Sequence, residues 1–287
     1  MSEANRAAAL PSSYLLKHYQ LSAPRLLAQT PRANLWQVRR ANGEDAVLKH
    51  LTDEGAASDE ARAGEVLAQW AGQNAVQIYA SHKTASQNIS FLIEWLGGPS
   101  LGDLARGGQD SLATAQLAQV ATALSRPAVA GFPDLSTNGT ELLATPLSAL
   151  PPTHRGVFAL AQTLWPKLLA STTQPHLLHA DLHHDNILKG PRGWCAIDPR
   201  GLNGDPAYEF ANAFRNPTGM GDKTADPARI LHMAGSFAAH SGLDQGRILQ
   251  FAFAHCAMSI SWTLKHSPAP KGDLRLLDLF AALIAAP

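Results

Sequence analysis

Along the first hundred residues the apolar positions cluster in short runs of strand character between turn signals; beyond Gly97-Gly98-Pro99 they recur at helical spacing over longer stretches. Residues 26–30 and 35–39 predict two strands separated by Pro31-Arg32-Ala33-Asn34, and Asn42-Gly43 is a hairpin signal leading into Ala46-Val47-Leu48-Lys49-His50-Leu51. Ala63, Val66, Leu67 and Trp70 share one face of a helix predicted over 57–71, and residues 76–80 and 89–96 return to strand character. The expected order is β-β-β-α-β-β. Past the glycines, helices are predicted over 111–124, 155–171, 227–240 and 245–266, with Asp226-Pro227 and Asp244 as start signals. Ile187-Leu188 and residues 194–197 form a predicted hairpin around Lys189-Gly190-Pro191-Arg192-Gly193, which sets Asn186 and Asp198 at its two ends, an arrangement expected to bring both near one metal ion. The segment 245–266 is apolar nearly all round and is expected to be a buried spine. The pattern predicts an α+β chain, with a strand-rich lobe over 1–97 and a mainly helical lobe over 98–287.

Composition then narrows the partners. The chain has 287 residues and 45% hydrophobic content, enough for a sizeable core. With 23 Lys+Arg against 23 Asp+Glu there is no basic excess to neutralise nucleic-acid phosphates or anionic lipid, so neither nucleic acid nor membrane is an expected partner. Cys195 and Cys256 lie in apolar surroundings without metal-ligand spacing, which predicts neither a disulfide framework nor structural zinc and fits a reducing cytoplasm. Glu3, Arg6 and Pro11 interrupt the start where a secretory leader needs an apolar run, and no stretch reaches the roughly 18 apolar residues of a membrane span. Oligomeric state leaves no mark on the pattern.

The chemistry concentrates in His179-Ala-Asp181-Leu-His183-His184-Asp185-Asn186 and in Ile197-Asp198. Phosphoryl transfer from a nucleotide needs a carboxylate to orient the attacking hydroxyl and oxygen ligands to hold magnesium against the phosphates. Asp181 has the place of the base, Asn186 that of a neutral magnesium ligand and Asp198 that of a charged one, while His179 is expected to brace the loop by hydrogen bonding. A competing reading makes the His and Asp residues a hydrolytic metal cluster, but adjacent ligands in one loop cannot all face one ion. His183, His184 and Asp185 are left open between substrate contact and plain solvation.

Lys49 lies on an apolar strand, where its ammonium either reaches nucleotide phosphates or snorkels from an edge; the downstream motifs favour phosphate binding. Glu65 is preferred to Glu60 as its carboxylate partner, because it opens the apolar run Val66-Leu67. The connector Glu94-Trp95-Leu96-Gly97-Gly98 offers the backbone of Glu94 and Leu96 to an adenine ring. Asp205-Pro206 reads as a helix N-cap with proline at the first helical position, a structural support.

These residues resemble the aminoglycoside phosphotransferase group of kinase-like enzymes, and within it the streptomycin and hydroxyurea phosphotransferases. The resemblance rests on AVLKH around Lys49, EVLAQWAGQNAV from Glu65, LLHADLHHDNIL from Leu177 and AIDPRGLNGDPAYEFAN from Ala196. It implies a two-lobed protein-kinase-like fold, with a small antiparallel-sheet N-lobe and a larger helical C-lobe. It also implies Asp181 as catalytic base, Asn186 and Asp198 as magnesium ligands, Lys49 on the ATP phosphates and Glu65 paired with Lys49. Two departures stand out: the loop Pro31 to Asn34 has no glycine, and Ala180 stands where the family usually shows one. Only six residues separate Asp198 from Asp205, too few for a peptide-binding activation segment, so the expected acceptor is the hydroxyl of a small molecule. Asp222, Asp226, Asp244, Asp273 and Asp278 are scattered and read as caps or surface charge rather than a pocket for a polycation. A catalytically silent nucleotide-binding module is the alternative from another class.

Overall fold

The computed structural model describes residues 10–84 and 88–285. Of the expected absence of a leader at the start, the part resting on residues 1–9 lies outside the described residues. Contacts divide the chain into two compact units, one of residues 1–98 with 189–200 and one of residues 99–188 with 201–287. The segment 189–200, expected in the helical lobe, thus groups with the strands and takes Asp198 with it.

The first unit is built on β1 (Ser22–Gln29), β2 (Ala33–Arg39), β3 (Asp45–Leu51), β4 (Ile78–Lys83) and β5 (Ile89–Glu94) in an antiparallel sheet of order β1-β2-β3-β5-β4. β1 is largely exposed and carries Pro24 beside a register shift, which an edge strand tolerates because its amides need not pair. α1 (Ser13–His18) contributes Leu15 to a core of Trp36, Val38, Ala46, Leu48 and Leu92. Side chains alternate across a strand, so Lys49 belongs to the other face from Leu48.

A short helix, α2 (Asp53–Ala56), precedes the helix predicted over 57–71, which starts as a 3-10 turn (Asp59–Arg62) and runs into α3 (Ala63–Trp70), with Ala63, Val66, Leu67 and Trp70 buried as expected. Thr52 caps the first by accepting from the Gly55 amide, and Ser58 caps the second by accepting from the Glu60 amide. These hydroxyls satisfy local amides and so compete with a continuous helix. Ala71 at φ 48° and Gly72 at φ 81° end α3.

The second unit holds α4 (Leu101–Leu104), α5 (Asp110–Leu124), α6 (Thr140–Ala144), α7 (Arg155–Ala170), α8 (Pro227–Ser241), α9 (Gln245–Leu264) and α10 (Lys271–Ala285). The expected spine is α9: every residue from Phe251 to Ser261 is buried, and it packs on α7, α8, α10 and the 3-10 segment Pro206–Arg215. β6 (His176–Leu178) and β9 (Leu202–Gly204), which the apolar pattern did not reveal at three residues each, pair antiparallel. β7 (Ile187–Gly190) and β8 (Gly193–Ala196) make the expected hairpin. Among the described residues no helix is long and apolar enough to cross a membrane.

Candidate active site

In the first unit the chemistry starts at β3. Lys49 faces Leu35 of β2 and Phe91 of β5 in register, so it lies on an interior strand and not on the edge from which a lysine would snorkel. It is 4% exposed, a burial that a charged ammonium accepts only with partners. Its Nζ lies 3.0 Å from Asp198 Oδ1 and 2.8 Å from Glu60 Oε2. Burial by itself would lower the Lys49 ammonium; the charges of Asp198 and Glu60 more than offset this and hold it above its ordinary value.

The expected partner, Glu65, is exposed on α3 and is not the one used. The break at Ser58 is the reason: it turns Glu60 toward Lys49, whereas a continuous helix would have suited Glu65. Further pairs hold the segment after β8 that carries Asp198: Asp59 takes Arg200 at 3.4 Å, and Arg62 Nε donates to the Arg200 carbonyl at 2.9 Å. The glycine-free β1–β2 turn is organised by Thr30, whose hydroxyl accepts from the Ala33 amide at 2.9 Å, while the Arg32 carbonyl accepts from Thr52. At the end of β5 the Glu94 carboxylate is bound by Arg192 and by the Gln77 amide, and the Glu94 amide donates to the Gln77 carbonyl. Leu96 is buried, with Gly190 against it so closely that a Cβ there would lie 2.6 Å from Leu96 Cδ2.

In the second unit, β6 delivers the chain into the loop of His179 to Asn186. The His179 amide donates to Glu209 Oε2 at 2.9 Å, and the Asp181 amide donates to His179 Nδ1 at 3.3 Å. His179 therefore touches the backbone of Asp181, the contact expected of a brace. Asn212 Nδ2 donates to Asp181 Oδ1 at 2.9 Å, and Asn186 Nδ2 donates to the Asp181 carbonyl at 3.0 Å, which leaves the Asn186 amide oxygen as its remaining acceptor. Ala180 has φ 64°, the left-handed region that explains why glycine suits this place.

The three residues left open by sequence diverge. His183 Nδ1 accepts from the Asp185 amide at 3.3 Å, Asp185 pairs with Arg106 at 2.9 Å, and His184 is fully buried with no hydrogen-bond partner on either ring nitrogen. Burial, then the charge of Arg229, depress His184 to about 3. Among the described residues no group of three His, Cys, Asp or Glu side chains is placed to hold a metal. Gly102 is required here, since a Cβ would meet Asp185 Oδ1 at 1.9 Å.

Residues 18–267 match the family described as aminoglycoside/hydroxyurea antibiotic resistance kinase. The chain belongs to that family. A streptomycin 3''-kinase of Klebsiella pneumoniae is 34% identical over 209 residues, covering 71% of this chain and 76% of that protein. A hydroxyurea phosphotransferase of Kitasatospora aureofaciens is 32% identical over 186 residues, covering 62% of this chain and 52% of its own length. A thermostable mutant of aminoglycoside phosphotransferase APH(4)-Ia, solved in ternary complex with ADP and hygromycin B, matches at TM-score 0.64 and 14% identity over 95% of this chain and 98% of that one. The fold of this antibiotic resistance kinase is therefore protein-kinase-like, and the protein is a small-molecule kinase that uses a nucleotide.

Elsewhere in the kinase, Asp205 caps the segment Pro206–Arg215 by accepting from the Ala207 amide at 3.0 Å, and its other oxygen takes Thr172 at 3.0 Å and Arg247 Nε at 2.9 Å. The five scattered aspartates of the helical lobe serve as caps or surface pairs. Asp226 and Asp244 cap α8 and α9, Asp273 pairs with Arg215 at 2.9 Å, Asp278 with His154 at 3.2 Å and Asp222 with Arg275 at 3.4 Å. Sequence reasoning missed Asn212, Glu209 and Arg192. Glu209 and Asn212 stand inside the matched stretch AIDPRGLNGDPAYEFAN, which was the available signal; Arg192 lay unremarked in a predicted turn.

Proposed function

We propose that this kinase transfers the γ-phosphoryl group of ATP, with magnesium, to a hydroxyl of a small polar molecule, and that streptomycin is the first acceptor to test. The observation that carries this reading is the buried Lys49 ammonium held between Asp198 and Glu60: a fixed cation on an interior strand beside a carboxylate of the kind that serves a metal–nucleotide complex. In this proposal the first unit supplies Lys49 to the α- and β-phosphates and the backbone of Glu94 and Leu96 to adenine. Glu94 acts there through its carbonyl, since Gln77 engages its amide. The second unit supplies Asp181, whose Oδ1 is oriented by Asn212 and whose remaining oxygen accepts the acceptor's proton. Asn186 and Asp198 offer hard oxygen donors that fit magnesium, and the bound ion would neutralise phosphate charge. Acceleration then comes from orientation and charge stabilisation.

The acceptor class is supported by relatives whose names specify streptomycin and hydroxyurea. The aspartates of the helical lobe are scattered caps and surface charges rather than one cluster, so amino sugars, amino alcohols and small polyols belong in the same ATP-consumption screen. With the acceptor found, Asp181→Asn should lower kcat by about 10³-fold while leaving nucleotide affinity within about threefold. Near wild-type transfer by that variant removes Asp181 as the base; ATP binding without product for any acceptor points instead to a silent module.

A further inference from the structure

The second unit contains a cavity of about 190 Å³ that phosphotransfer as described above does not use. Its walls are largely apolar, from Leu124, Leu177 and Phe210, and Ser125 and Gln174 stand exposed at its mouth. Glu209 also lines it. This carboxyl is 7% exposed; its Oε2 accepts from the His179 amide at 2.9 Å, whereas Oε1 is buried with no hydrogen-bond partner. A buried oxygen left without a donor or acceptor is unfavourable, and a ligand that supplies one gains from it.

We propose that this cavity binds a small uncharged molecule with an apolar body, of a size between benzene and indole, and a single hydroxyl that hydrogen-bonds Glu209. The size follows from volume, since an apolar cavity of about 150 Å³ holds benzene. The apolar walls exclude a charged body. The hydroxyl follows from the state of Glu209: burial raises its carboxyl to about 8, so acid and carboxylate coexist near neutral pH, and only a group that both donates and accepts serves the two forms. An occupant would lie two hydrogen bonds from the Asp181 backbone, through Glu209 to the His179 amide and from His179 Nδ1 to the Asp181 amide. The binding site stands whether or not the phosphotransferase reading holds.

The test reads binding without nucleotide or acceptor, so it stands even if the phosphotransferase reading fails. Millimolar benzyl alcohol should raise the thermal midpoint of the full chain by about 2 °C, and toluene, which lacks the hydroxyl, by less than half as much. Ala121, buried in the cavity wall, should abolish the effect as Ala121→Leu. No shift in the wild type, equal shifts from the two probes, or an undiminished shift in Ala121→Leu overturns the proposal. If that variant does not fold, wild-type crystals soaked in 4-bromobenzyl alcohol decide: anomalous bromine density in the cavity supports it, and density elsewhere or none overturns it.

Discussion

Ala180 and Asp198, at φ 64° and 56°, hold left-handed backbone that L-residues disfavour, and both stand where the phosphotransfer chemistry is proposed. Ala180 gains nothing from its methyl that glycine would forfeit in hydrogen bonding. Ala180→Gly relieves an unfavourable conformation of about 1 kcal/mol against a partly compensating loss of chain entropy, so the midpoint of unfolding should rise by about 1–3 °C. A fall would show that the methyl packing outweighs the backbone strain. At Lys49 the geometry separates two glutamates that look alike in sequence. Glu60→Gln removes a 2.8 Å partner from a buried ammonium and should weaken magnesium–ATP binding about tenfold, while Glu65→Gln should change it less than about twofold. Equal effects from the two variants, measured by titration calorimetry, would contradict the pairing.

Elements beside the loop of His179 to Asn186 are tied together by one guanidinium. Arg229 of α8 makes a bidentate pair with Asp110 at the start of α5, at 2.7 and 3.1 Å, and donates to the carbonyls of Phe214 and Asn216. Asn216 in turn donates to Asn212, which orients Asp181. Arg229 is buried but Asp110 keeps 27% of its side chain exposed, so solvent compensates part of the loss and Arg229→Met should destabilise by about 2 kcal/mol, read as a lower denaturant midpoint at unchanged m-value. A loss below about 1 kcal/mol would mean the pair is effectively solvated. The long helices were legible because their apolar spacing and caps agree, as at Asp226-Pro227 and Asp244. Over 57–71 the buried face of Ala63, Val66, Leu67 and Trp70 was legible in the same way, but the break at Ser58 was not, because its local cap is something that apolar periodicity does not register.

At the scale of the whole molecule, Glu209 makes stability depend on pH. Its carboxyl rises from an ordinary value of 4.5 to about 8 on folding, chiefly through burial and against the two amides it accepts from. The folded state thus binds the proton more tightly than the unfolded one. The stability this contributes is fully present below pH 4.5 and is lost as pH rises toward about 8, at about 1.4 kcal/mol per pH unit. Glu209→Gln should flatten the stability curve across that window relative to wild type; parallel curves would show that Glu209 does not titrate there.

Much of this protein follows from sequence alone. Period-two and helical spacing, with turn and cap residues, determined the strand-rich and helix-rich parts, because burying one face of an element is a local demand written in its periodicity. The spacing of Asp181, Asn186 and Asp198 was also visible in the sequence and carries the proposed chemistry, because phosphoryl transfer admits few residue types at few spacings. Tertiary structure alone decided which glutamate neutralises Lys49, that Lys49 lies on an interior strand, and that Asn212 and Glu209 hold the loop of His179 to Asn186. Those contacts join residues far apart in the chain, and their energy depends on burial and distance, which the order of residues does not contain.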